Sequence, residues 1–154
     1  MGGDCVSTVP DRKPSPLVPA IGFSFDNTVL LWNSLHMEYE VEYTDEFERW
    51  WEGLSAEEQE DISAVVGVLE EKGPSLRRPY VGSIVTSRHP NMKELIIQHA
   101  GRPHRVLFAF DPKRHAILLI GGDKTGNASW YDELVPRADN LFDEHLAELK
   151  KEDH

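Results

Sequence analysis

The sequence predicts an α+β fold: an antiparallel sheet with N-terminal helices and a C-terminal helix packed on one face. Two changes of period carry this. Between residues 44 and 72 apolar residues recur at helical spacing, as Phe47, Trp50, Trp51 and Leu54, then Ile62, Val65, Val66 and Leu69. After Gly73-Pro74, three short apolar runs follow: "KELIIQH" (93–99), "HRVLFAF" (104–110) and "HAILLIG" (115–121). Strands this close in sequence form an antiparallel meander, and their apolar side must be covered by helices. Helical spacing then returns at about 128–149.

Each element has its own local reason. "EYEVEY" (38–43) alternates Tyr39, Val41 and Tyr43 with glutamates, the pattern of a half-buried strand. Thr44 is an N-cap for a helix over 44–53, whose Trp50 and Trp51 belong to the core. "SAEE" (55–58) is a capping box opening a helix over 55–72. "DPKR" (111–114) is a tight turn, with Pro112 suited to its second position. Trp130, Leu134, Leu141, Leu146 and Leu149 share one side of the last helix, and Pro136 kinks it or marks its early turns. Pro10, Pro14, Pro16 and Pro19 among Ser, Thr and Gly resist a packed element. Residues 1–36 are therefore expected to be a poorly packed or flexible extension, with the domain over 37–150 and a short tail over 151–154. The extension reads as a leader, a contact arm or an upstream start, and the sequence leaves all three open.

At 154 residues the chain suits one domain with a real core. No apolar run approaches the ~20 residues of a membrane span, and no signal-peptide core is visible. Cys5 is the single cysteine, which excludes an internal disulfide. A cytoplasmic protein without a membrane partner is the expectation. The histidines show no metal-ligand spacing, so neither metal nor cofactor is expected. "GGDKTG" (121–126) lacks the spacing of a phosphate loop.

The net charge of −11 conceals a partition. Residues 37–71 hold 13 acidic residues and one basic residue, whereas 72–124 hold ten basic and three acidic. Acidic surface helices beside an incidentally basic sheet are one reading. The other is a local site for a polyanion such as RNA in an acidic shell. Alternation along 104–110 sets Val106, Phe108 and Phe110 toward the helices and Arg105 toward the open face. Lys124 lies just past a strand end, among glycines that allow close approach of a ligand, and Tyr131 begins the last helix nearby. Arg105, Lys124 and Tyr131 are thus expected to converge. Cations there would hold a phosphate, and a tyrosine would stack on a base or exchange a proton. His104 falls on the opposite face and is expected to be structural.

"YEVEYTDEFERWWEGLSAEEQEDI", "SRHPNMKEL", "GRPHRVLFAFDPKRHAILLIGGDKTG" and "WYDELVPRADNLFDEHL" together resemble the RelE/HigB superfamily of type II toxin–antitoxin toxins, in its HigB-like, phage-derived branch. The resemblance covers about 37–150. It implies a RelE-like fold and a ribosome-dependent mRNA endoribonuclease that inhibits translation. It also implies a cognate helix-turn-helix antitoxin as partner, besides the ribosome and mRNA. Carried over by position, Arg105, Lys124 and Tyr131 would be catalytic, and Lys93, with Arg102 and Arg88, would bind RNA. This branch often reads Glu-Leu-Arg where this chain has Glu94-Leu95-Ile96, so Ile96 removes a cation from the open face, for which Arg102 is a candidate substitute. The competing expectation is a protein without nuclease activity that binds its antitoxin as a co-repressor, or an RNA-binding module.

Overall fold

The computed structural model describes residues 13–14 and 39–152. The elements are β1 (Lys13–Pro14), β2 (Val41–Tyr43), α1 (Asp45–Glu52), α2 (Ala56–Lys72), a 3-10 turn (Gly73–Ser75), β3 (Val81–Ser83), β4 (Lys93–His99), β5 (Arg102–Phe110), β6 (Ala116–Asp123) and α3 (Trp130–Glu152). The sheet order is β1-β2-β6-β5-β4-β3. The meander β4-β5-β6 is antiparallel as expected, and the α+β class holds. β2 runs parallel to β6 (Val41 opposite Ala116, Tyr43 opposite Leu118), so the sheet is mixed at that side. Neither β1, which lies in the segment expected to pack poorly, nor β3 was expected from sequence.

The helix boundaries follow the caps. The Thr44 hydroxyl accepts from Phe47 N at 3.1 Å and donates to Leu119 O at 2.7 Å, fastening the start of α1 to β6. Ser55 and Glu58 form the reciprocal capping box, with bonds of 3.1 and 2.8 Å. Gly73 ends α2 with φ +61°, where a Cβ would stand 2.2 Å from the Tyr39 ring. The turn between β5 and β6 closes through Arg114 N to Asp111 O at 2.8 Å, with Pro112 in the expected second position. Helix α3 continues through Pro136.

The expectation that all helices share one face is corrected. One core joins α1 and α2 to Val106, Phe108, Leu118, Leu95 and Ile97. A second joins α3 to Leu107, Ala109, Ile117 and Leu119 on the other face. Val106, Leu107, Phe108 and Ala109 are all fully buried, as a strand covered on both sides must be. Each large side chain so buried contributes roughly 1.5–3 kcal/mol. A register shift between Leu107 and Phe108 leaves Leu119 as the extra residue of a bulge in β6.

The glycines of "GGDKTG" also have a different purpose from the expected one. A Cβ on Gly121 would stand 2.3 Å from the Trp50 ring, and one on Gly122 2.7 Å from Trp130 Nε1. They let one tryptophan pack against each face of the sheet.

Among the described residues, both cores are built from positions beyond Tyr39, and Lys13–Pro14 adds an edge strand beside β2. A chain beginning at Met37 is therefore expected to keep a cooperative thermal transition, measured by circular dichroism. Loss of that transition would place residues 1–36 in the core.

Candidate functional site

Helix α3 covers only part of its face of the sheet. Beyond its first turn, β4 and β5 present Glu94, Ile96 and Arg105, with Ile96 directly opposite Arg105 in the register. Arg105 is therefore not on an open face, as alternation alone suggested. It is half-buried beneath the start of α3, its side chain 14% exposed.

Three of the expected residues do come together there. Tyr131, in the first turn of α3, donates its hydroxyl to Glu94 Oε1 at 2.7 Å. Arg105 Nε lies 3.5 Å from the same oxygen, and Arg105 Nη1 donates to His104 O at 3.0 Å. Arg105 Nε is buried and has no hydrogen-bond acceptor. Lys124 Nζ sits 5.2 Å from the centre of the Tyr131 ring, a cation–π distance, and its backbone amide donates to Pro103 O. Trp130 supports the ring edge-on at 5.0 Å.

Burial raises the Tyr131 pKa, and the adjoining Glu94 carboxylate raises it further against the opposing effect of Arg105. Tyr131 is thus a neutral phenol at physiological pH, able to donate a proton or stack but not to act as a phenolate base. Glu94→Gln removes the negative charge and is expected to bring the Tyr131 pKa down toward the ordinary value, which burial still holds it above. Ultraviolet titration of the tyrosines, with Tyr131→Phe to identify the transition, measures this. An unchanged transition would contradict the coupling.

The other three expected residues make separate contacts. Arg88 pairs with Asp143 of α3, and its backbone amide donates to Asp139 Oδ2 at 3.1 Å, which ties the loop before β4 to the helix. Arg102, the first residue of β5, pairs with Asp123 Oδ2 at 3.3 Å at the end of β6, next to Lys124 in sequence. Lys93 alternates with Leu95 and Ile97 toward the α1–α2 face. His104 is structural, as expected: it is 1% exposed, and its Nε2 lies 3.0 Å from Glu58 Oε2.

The residue that sequence reasoning missed is Glu94, only 7% exposed. Its signal was the opposition of β4 and β5, which sets Glu94 and Arg105 on one face. Among the described residues, the group close enough to hold a metal ion is Glu40, Glu42 and His115. Glu42 is on β2, Glu40 just before it and His115 just before β6, with His115 Nδ1 3.3 Å from Glu42 and Nε2 3.6 Å from Glu40. None of its members belongs to the Arg105 cluster.

The arrangement is a mixed sheet flanked by helices, with a half-buried arginine, a lysine and a protonated tyrosine gathered at one helix start. The family model described as Phage derived protein Gp49-like (DUF891) matches residues 49–143. The chain belongs to that family, the HigB-like, phage-derived branch that its sequence resembles. It is similar to two proteins of Mycobacterium tuberculosis (strain ATCC 25618 / H37Rv), HigB2 and HigB3, both of which carry the word toxin in their names. It is 47% identical to HigB2 over 115 residues, which is 71% of this chain and 57% of HigB2. It is 46% identical to HigB3 over 101 residues, which is 65% of this chain and 87% of HigB3. The chain thus spans little more than half the length of one of these relatives. No solved structure matches it. Among the described residues, no helix is long and apolar enough to cross a membrane.

Proposed function

We propose that this protein is the toxin of a type II toxin–antitoxin module, cleaves messenger RNA on the ribosome and is neutralised by a cognate helix-turn-helix antitoxin. The family and the names of the two relatives support the toxin class. The observation that carries the chemistry is the convergence of Arg105, Lys124 and Tyr131. In this reaction the ribose 2′-hydroxyl loses its proton to water as its oxygen bonds to the adjacent phosphorus, which leaves a 2′,3′-cyclic phosphate, and the bond from phosphorus to the 5′-oxygen breaks. Arg105 and Lys124 counter the charge that grows on the phosphoryl oxygens. Tyr131, held neutral, gives its proton to the departing 5′-oxygen, and Glu94 orients that hydroxyl.

One feature favours a second reading, a non-catalytic antitoxin-binding co-repressor. Glu94 competes with phosphate for Arg105, and Ile96 adds no further cation. Expression in a bacterial host separates the two. The toxin reading expects growth arrest, relieved by co-expressing a neighbouring helix-turn-helix protein. Unimpaired growth with soluble, folded protein favours the co-repressor.

A further inference from the structure

A second concentration of charge lies at the β3 edge of the sheet. A cavity of about 320 Å³ there is lined by Arg77, Arg78 and Lys93, with Ser83 and Gly82 of β3, and no carboxylate lines it. The chain has 27 acidic and 16 basic residues, and Arg49, Arg88, Arg102, Arg105 and Arg137 each have a carboxylate within 4.0 Å. Arg77, Arg78 and Lys93 belong to no ion pair among the described residues. Three such cations around one hollow repel each other, and an anion in the hollow relieves that repulsion.

Two further observations say what kind of anion. Gly82 is opposite Glu94, and a Cβ built on it would stand 3.1 Å from Glu94 Oε2 and 3.2 Å from Arg78 Nη2. Arg78 therefore lines the cavity and also reaches the face that carries Glu94, Arg105 and Tyr131. Tyr80, two residues on, is one of two large hydrophobic side chains left exposed among the described residues. Cations lining a hollow, with an exposed aromatic ring in the same segment outside it, suit a single strand, phosphates on the cations and a base on the ring.

We propose that the Arg77–Arg78–Lys93 groove binds the phosphodiester backbone of single-stranded RNA and leads the strand over the β3 edge to Arg105. This rests on the RNA-directed reading above but is tested without ribosomes or cleavage. Fluorescence anisotropy of a short labelled single-stranded RNA is followed with the full chain between about 50 and 200 mM salt. The variant Arg77→Ala/Arg78→Ala/Lys93→Ala is expected to bind at least about tenfold more weakly. Its log–log salt slope should fall by about 2, at roughly 0.7 per lost phosphate contact. Tyr80→Ala weakens binding with the slope unchanged. Arg77→Lys/Arg78→Lys keeps the slope, which separates charge loss from misfolding. Equal affinity and slope for wild type and the triple variant would overturn the groove. So would inorganic phosphate binding there as tightly as RNA, since that assigns the site to a free anion. If RNA binds through the groove yet no translated message is cut, the cleavage reading fails and the groove stands.

Discussion

Arg105→Ala is expected to slow cleavage of translated mRNA by roughly 30- to 1,000-fold, corresponding to about 2–4 kcal/mol of lost transition-state stabilisation. The size follows from where the guanidinium lies. It is half-buried and fixed by His104 O, so little reorganisation precedes its use. Arg105→Lys should recover only part of the rate, because a point charge does not replace two parallel donors. Single-turnover cleavage on programmed ribosomes measures both. Lys124→Ala should act in the same direction. Tyr131→Phe should cost as much as Arg105→Ala if the proton transfer is real, and much less if the ring only stacks.

Asp111→Ala is expected to destabilise the fold by about 3 kcal/mol, lowering the midpoint of thermal unfolding by roughly 10 °C. Asp111 closes the β5–β6 turn by accepting from the amides of Lys113 and His115, each at 2.9 Å. Its other oxygen lies 2.7 Å from His145 Nε2 of α3, and both side chains are buried. Removing the carboxylate strands all three donors. Burial pushes the Asp111 pKa up, but the bonds from His145 and the His115 amide outweigh it and hold the carboxyl below its ordinary 3.8. A carboxyl whose folded pKa is lowered stabilises the protein above its unfolded value and loses that contribution as pH falls through the folded one. Wild type should therefore lose stability on acidification below about pH 4, and Asp111→Asn should lose less. The dependence will not vanish, because Glu46, Glu58, Asp123 and Asp143 are also held low. Chemical denaturation at several pH values reads the difference. Equal slopes would contradict the role given to Asp111.

The helices were legible because their signals are local: Thr44 and the Ser55–Glu58 box fix the starts of α1 and α2. β3 was not, since Val81–Ser83 is three residues long and includes a glycine, too little for alternation to register. The parallel pairing of β2 with β6 joins segments more than 70 residues apart, and no local pattern encodes a neighbour's direction. The error over helix placement has a sharper lesson. "RVLFAF" was sorted by size into a bulky inner set and a smaller outer set, yet Leu107 and Ala109 are as buried as Val106 and Phe108. A continuous apolar run signals cover on both faces. That same cover changes the setting of Arg105 from an open surface to the rim beneath α3. Arg105, Lys124 and Tyr131 were readable from their places at strand and helix ends. Glu94 was not, because its importance depends on which strand lies opposite. Gly121 and Gly122 misled because close approach was assigned to a ligand, whereas Trp50 and Trp130 fill that space.

The central claim is that the Arg105–Lys124–Tyr131 cluster cuts mRNA during translation. Primer extension on a defined message, with and without translating ribosomes, tests it most directly when wild type is set beside the Arg105→Ala/Lys124→Ala variant. The account predicts discrete cuts within the reading frame for wild type, only when ribosomes translate, and none above background for the folded double variant. Equal cutting by both proteins, or intact message with folded wild type on every translated template, would contradict it.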